Sequence, residues 1–101
     1  MADNQPHDLL DETIHQRTRL AIMATLTGAG SLEFNELREQ LALTDGNLST
    51  HLAALERARY VEIVKAFRGK KPLTTIAISA KGRKAMENYV NLLQRILKKS
   101  V

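Results

Sequence analysis

The chain is 101 residues long, 44% hydrophobic and 26% charged, with a formal net charge of +4, which fits one globular domain able to bury a core without staples. It has no cysteine, so disulfides, thiolate metal sites and cysteine catalysis are excluded. No apolar run approaches the roughly 18 residues of a membrane span and the acidic start is unlike a secretory signal, so the expected compartment is the cytoplasm.

Residues 1–7, MADNQPH, show no periodicity and are expected to form a flexible tail ahead of a domain spanning 8–101. Asp8 or Asp11 can cap a first helix running to about Thr27, with Leu10, Ile14, Ala21 and Leu26 among its apolar positions. The glycines of TGAGS end it, and SLEF is long enough only for a strand stub. Phe34, Leu37 and Leu41 then recur at helical spacing and predict a second helix of about two turns.

The third helix opens with TDGNLSTHLAAL. Thr44 suits the N-cap, Asp45 suits the positive helix end, and Leu43 and Leu48 occupy the staple positions on either side. Leu48, Leu52 and Leu55 form its inner face, with an end expected near Arg59. YVEIVKAFRGKKPLTTIAIS reads as a β-hairpin with a five-residue tip, RGKKP. Ser79 can cap a last helix from about Ala80 to Lys98. The predicted order is α-(β)-α-α-β-β-α: mainly α with a β-hairpin, an α+β fold.

Charge is unevenly placed along this frame. Residues 1–13 hold four acids and no Lys or Arg, while residues 57–84 hold nine Lys and Arg against Glu62. A block this one-sided points to an anionic partner such as nucleic acid; a solvated basic face is the plainer alternative. Two helices joined by so short a turn form the helix-turn-helix pattern, whose second helix enters the major groove by its N-terminal residues. Small polar residues at the start of the third helix permit that approach, making Asn47, Ser49, Thr50 and His51 the candidate recognition residues. Thr44 and Asp45 read instead as caps, since a carboxylate facing phosphate would be repelled. At the hairpin tip, Arg68, Lys70 and Lys71 surround Gly69, and Pro72 is expected to stop strand pairing.

The last helix has more apolar surface than a small domain needs. Val90, Leu93 and Leu97 are expected to face the core, with Met86, Tyr89 and Ile96 facing elsewhere. The surplus predicts a homodimer interface drawn from Leu9, Leu10, Ile14, Met86, Tyr89, Leu93 and Ile96. A two-fold dimer places two recognition helices about one DNA turn apart, on a palindromic operator.

Together LDETIHQRTRLAIMATL, FNELREQLALTDGNLSTHLAALERARYV and GKKPLTTIAISAKGRKAMENYV resemble the short winged-helix regulators, single-domain relatives of the MarR and ArsR transcription factors, over about residues 10–97. The resemblance implies a winged helix-turn-helix with the hairpin as its wing, and dimeric, sequence-specific binding of double-stranded DNA, with recognition at Asn47, Ser49, Thr50 and His51 and wing contacts at Arg68, Lys70 and Lys71. Two departures stand out. Arg59 occupies the slot that is usually a left-handed glycine, and the cysteines of metal-sensing ArsR members are absent. His7, His15 and His51 are too dispersed to suggest a metal site, and no cofactor is expected.

No phosphate loop, nucleophile elbow or HExxH pattern occurs, so an enzyme is not expected. The sequence-based reading is a homodimeric transcriptional repressor acting by operator occupancy. Two rivals use the same fold: a protein-interaction module, and a nonspecific chromatin-type DNA binder. No residue pattern specifies an operator sequence or a small-molecule effector.

Overall fold

The computed structural model describes residues 9–99, and in it Asp11 caps a turn rather than a helix. Its side chain accepts from the backbone N–H groups of Thr13 at 2.8 Å and Ile14 at 3.1 Å. The first helix, α1 (Arg17–Ala29), therefore starts later than the sequence suggests, with Gln16 as its cap accepting from the Arg19 N–H at 2.8 Å. Asp8 and the expected tail at 1–7 lie outside the described residues. Gly30, at φ +82, stops α1. The remaining order is β1 (Ser31–Glu33), α2 (Phe34–Gln40), α3 (Asp45–Arg57), β2 (Val61–Arg68), β3 (Lys71–Ile78) and α4 (Ala80–Lys99). This is the predicted winged helix class.

The three strands form one antiparallel sheet in the order β1-β3-β2. Pairing between β2 and β3 runs from Val61↔Ile78 out to Phe67↔Pro72 and Arg68↔Lys71. The expected five-residue tip is thus a two-residue turn, Gly69 and Lys70. Glycine at φ +63 supplies the positive dihedral that the first position of a tight hairpin turn needs. Pro72 does not end the pairing, because β1 covers β3 only at Thr75, Ile76 and Ala77 and leaves that edge of β3 unpaired at Pro72.

The core gathers Ile14, Ile22, Met23, Leu26, Leu37, Leu48, Leu55 and Ile76, all fully buried. Leu48, Leu52 and Leu55 come from α3, and each such side chain contributes about 1.5–3 kcal/mol by leaving water. Both helices of the helix-turn-helix close in the same way. At the end of α2, the Leu43 N–H donates to the Arg38 carbonyl and the Ala42 N–H to the Glu39 carbonyl. At the end of α3, the Tyr60 and Arg59 N–H groups donate to the Leu55 and Glu56 carbonyls, both at 2.9 Å. These are Schellman closures, and they hold Ala42 at φ 53 and Arg59 at φ 65. The left-handed slot is kept with arginine in place of glycine.

The rotation of α4 differs from the one expected. Met86, Tyr89 and Leu92 are buried in the chain's own core, whereas Val90 is 43% and Leu97 58% exposed. Two causes fix this rotation. Gly82 sits against the Tyr60 backbone, and the Tyr89 hydroxyl meets His15 Nδ1 at 2.8 Å. Leu10 and Ile14 are buried in the same core, so Leu10, Ile14, Met86 and Tyr89 are not available as interface side chains. Leu9 is exposed, and Leu93 and Ile96 are partly buried.

Candidate nucleic-acid interface

Thr44 and Asp45 set the start of α3. The Thr44 hydroxyl accepts from the Asn47 N–H at 3.1 Å, as its capping role requires. The Asp45 carboxylate is paired with Arg38 of α2 at 2.7 Å, which holds the Arg38 guanidinium more firmly protonated than usual. The one acid in the first turn of α3 is thereby matched by a cation on the neighbouring helix.

Helical geometry then sorts the polar residues of α3. With Leu48, Leu52 and Leu55 turned inward, Gly46, Thr50 and Arg57 project from the opposite side, Thr50 and Arg57 being two turns apart on one stripe. Among the described residues, nothing beyond the local turn of α3 lies within 4 Å of where a Gly46 side chain would begin. Asn47, Ser49 and Thr50 are exposed. Ser49 faces the wing across a groove of about 310 Å³, whose lining includes Phe34, Ala53, Glu56, Ile63, Lys65 and Thr74. His51 is half-buried and turns toward α1, where its Nδ1 lies 3.3 Å from Arg19 Nη1.

The three wing cations are not equivalent. Arg68 reaches back to Glu33 at 2.7 Å, tying the wing to the residue that caps α2. Lys70 and Lys71 are exposed at the turn and have no ion pair among the described residues. Phe67, two residues before the turn, is 73% exposed. Behind α3, Asp11 anchors the Tyr60 hydroxyl; burial and this bond push the Tyr60 phenol up to about 12.

A family of winged helix DNA-binding domains matches residues 18–97. The chain belongs to this winged helix DNA-binding family. It is 46% identical over 72 residues to the uncharacterized protein MJ0432 of Methanocaldococcus jannaschii, an alignment covering 71% of this chain and 78% of the relative. A transcriptional regulator homologue from Pyrococcus horikoshii OT3 superposes with a TM-score of 0.83 and 26% identity, covering 88% of each chain. An ArsR family transcriptional regulator shares the fold at a TM-score of 0.62 and 18% identity, covering 93% of this chain and 98% of that one.

In this winged helix domain the predicted recognition residues stay close together but point three ways: Thr50 outward, Ser49 toward the wing, and His51 toward α1. Three further cations adjoin them. Arg57 follows Thr50 at an interval of seven, a spacing the helical period makes legible. Lys65 lies on the same sheet face as Ile63, which alternation along the strand would have shown. Arg19 meets His51 from 32 positions away, and no local pattern announces it. Among the described residues no helix is long and apolar enough to cross a membrane.

Proposed function

We propose that this winged helix protein is a homodimeric regulator that binds a palindromic double-stranded operator and represses by occupying it in the cytoplasm. The observation that carries the reading is the outward stripe of α3. Gly46, Thr50 and Arg57 line it, and the wing adjoins it across the Ser49–Lys65 groove. A helix free to enter a groove, with cations beside it for the flanking phosphates, is what winged-helix docking on duplex DNA needs.

In this account Asn47, Ser49, Thr50, His51 and Arg57 meet base edges or nearby phosphates, while Lys65, Lys70 and Lys71 meet backbone. Arg68 serves first as a brace to Glu33. The dimer seam is Val90, Leu93 and Leu97 on α4, spaced as in a coiled-coil stripe, joined by Ile96 and by the exposed Leu9. Phe67 supports the rival protein-interaction reading, because so exposed an aromatic side chain is a common partner anchor.

Selection of bound duplexes from a random pool tests the proposal. Enrichment of a palindrome with half-sites about one helical turn apart is expected. Retention of the pool without enrichment would favour nonspecific binding, and no retention would favour the protein-interaction module.

A further inference from the structure

We propose that Arg19 is a positioning residue for DNA recognition, holding His51 in the tautomer with its proton on Nε2, so that His51 meets DNA as a hydrogen-bond donor. The proposal rests on the DNA-binding role given to α3 above. A guanidinium has only donors, so the approach of Arg19 Nη1 to His51 Nδ1 at 3.3 Å requires a lone pair on Nδ1. The ring proton of the neutral imidazole is then on Nε2, the nitrogen on the far side of the ring from Arg19.

Arg19 is itself held in place. Its Nε donates to the Thr13 carbonyl at 2.6 Å, and its backbone N–H donates to the Gln16 side chain at 2.8 Å. Thr13 in turn belongs to the turn closed by Asp11, whose other carboxylate oxygen is bound by the Tyr60 hydroxyl. The chain of bonds runs from Asp11 through the Thr13 carbonyl and Arg19 to His51. Both Arg19 and His51 are half-buried, so their contact is less diluted by water than a surface pair.

The tautomer decides which DNA groups His51 can accept as partners. A donor at Nε2 pairs with a phosphate oxygen, with O6 or N7 of guanine, with N7 of adenine or with O4 of thymine. It cannot pair with the amino groups of adenine or cytosine, which the opposite tautomer would read. Arg19 thus sets the chemical sign of one recognition contact without touching the base.

The first test needs no DNA. Ring-nitrogen NMR of the neutral His51 side chain should show Nε2 protonated and Nδ1 bare in the wild type, and a mixture of tautomers in Arg19→Met. A wild-type ring carrying its proton on Nδ1, or identical tautomer mixtures in the two proteins, would overturn the proposal. The second test measures affinity for the duplex enriched from the random pool. Arg19→Met and His51→Ala should each weaken binding about three- to tenfold, with no further loss when combined. The dependence of log affinity on log salt should keep its slope in Arg19→Met, because a residue acting through His51 releases no counterion of its own. A slope shallower by about 0.9 per protomer, with additive losses, would make Arg19 a phosphate contact instead and overturn the proposal. Should Arg19→Met fail to fold, the wild-type ring spectrum still decides the tautomer. If the wild type binds no duplex, the DNA-binding reading fails for every residue of α3, whereas a wrong tautomer overturns this proposal alone.

Discussion

Replacing Gly82 with alanine should destabilise the domain by about 2–4 kcal/mol, although alanine is the better helix former. A Cβ built on Gly82 would lie 2.2 Å from the Tyr60 carbonyl oxygen, 3.0 Å from its carbon and 3.1 Å from Ile78 Cγ1. Two of these atoms are backbone and cannot swing aside, so α4 must move. The same corner holds three hydrogen bonds: Ser79 N–H to the Tyr60 carbonyl at 3.0 Å, the Ser79 hydroxyl to the Arg59 carbonyl at 2.7 Å, and Gly82 N–H to that hydroxyl at 2.9 Å. Overpacking of this kind costs about 1–3 kcal/mol, and each weakened bond adds about 0.5–1.5 kcal/mol. The helix-propensity gain of about 1 kcal/mol offsets only part of that. Urea unfolding followed by far-ultraviolet circular dichroism reads the difference. Gly46→Ala is the control, since its methyl enters open space near the start of α3 and should add about 0.5–1 kcal/mol. Gly82→Ala within 0.5 kcal/mol of wild type would refute the packing argument at this corner.

Gly46→Ala should also bind DNA more weakly despite its added stability, because the methyl group stands on the outward stripe; anisotropy against the enriched duplex checks this. Arg59→Gly should raise the urea midpoint by the equivalent of about 0.5–1 kcal/mol, as it relieves a left-handed non-glycine at φ 65 while keeping the backbone bonds. Leu97→Glu should leave each protomer folded, Leu97 being 58% exposed in the single chain, yet shift sedimentation from dimer to monomer. The Tyr60 phenol keeps its proton to about 12 in the folded chain against 10.0 ordinarily, so between those values the unfolded state holds fewer protons. Stability should therefore fall as pH rises from about 10 to 12, less steeply in Tyr60→Phe, as unfolding at fixed urea can show.

The winged helix order was legible because its signals are local. Thr44 at the N-cap, Leu48, Leu52 and Leu55 at helical spacing and Ser79 before α4 each decide one element from a few neighbours. The errors fall where a distant contact decides. Asp11 is a sound helix cap by type, yet the anchoring of its second carboxylate oxygen by Tyr60 accompanies a turn, and Gln16 takes the capping role. The apolar stripe of α4 admits more than one rotation by spacing alone. The approach of Gly82 to Tyr60 and the His15–Tyr89 bond select among them. Likewise RGKKP has the composition of a long loop, but register carried outward from Val61↔Ile78 pairs Arg68 with Lys71. At the candidate interface the helical period tells which residues of α3 face away from its leucines, but not what the remaining side chains meet. Arg68 held by Glu33 and His51 held by Arg19 are tertiary facts without a sequence pattern.

The measurement closest to the central claim is the salt dependence of duplex affinity for the wild type and for the double variant Lys70→Ala, Lys71→Ala. Both lysines lie exposed at the wing turn and support no part of the core, so the variant should keep its unfolding midpoint. If both meet phosphate, the slope of log affinity against log salt should flatten by about two per wing, and by about twice that for a dimer. Affinity should fall alike for enriched and random duplexes, since phosphates carry no direct sequence code. A folded double variant with an unchanged slope would contradict the account and leave the wing to a protein partner.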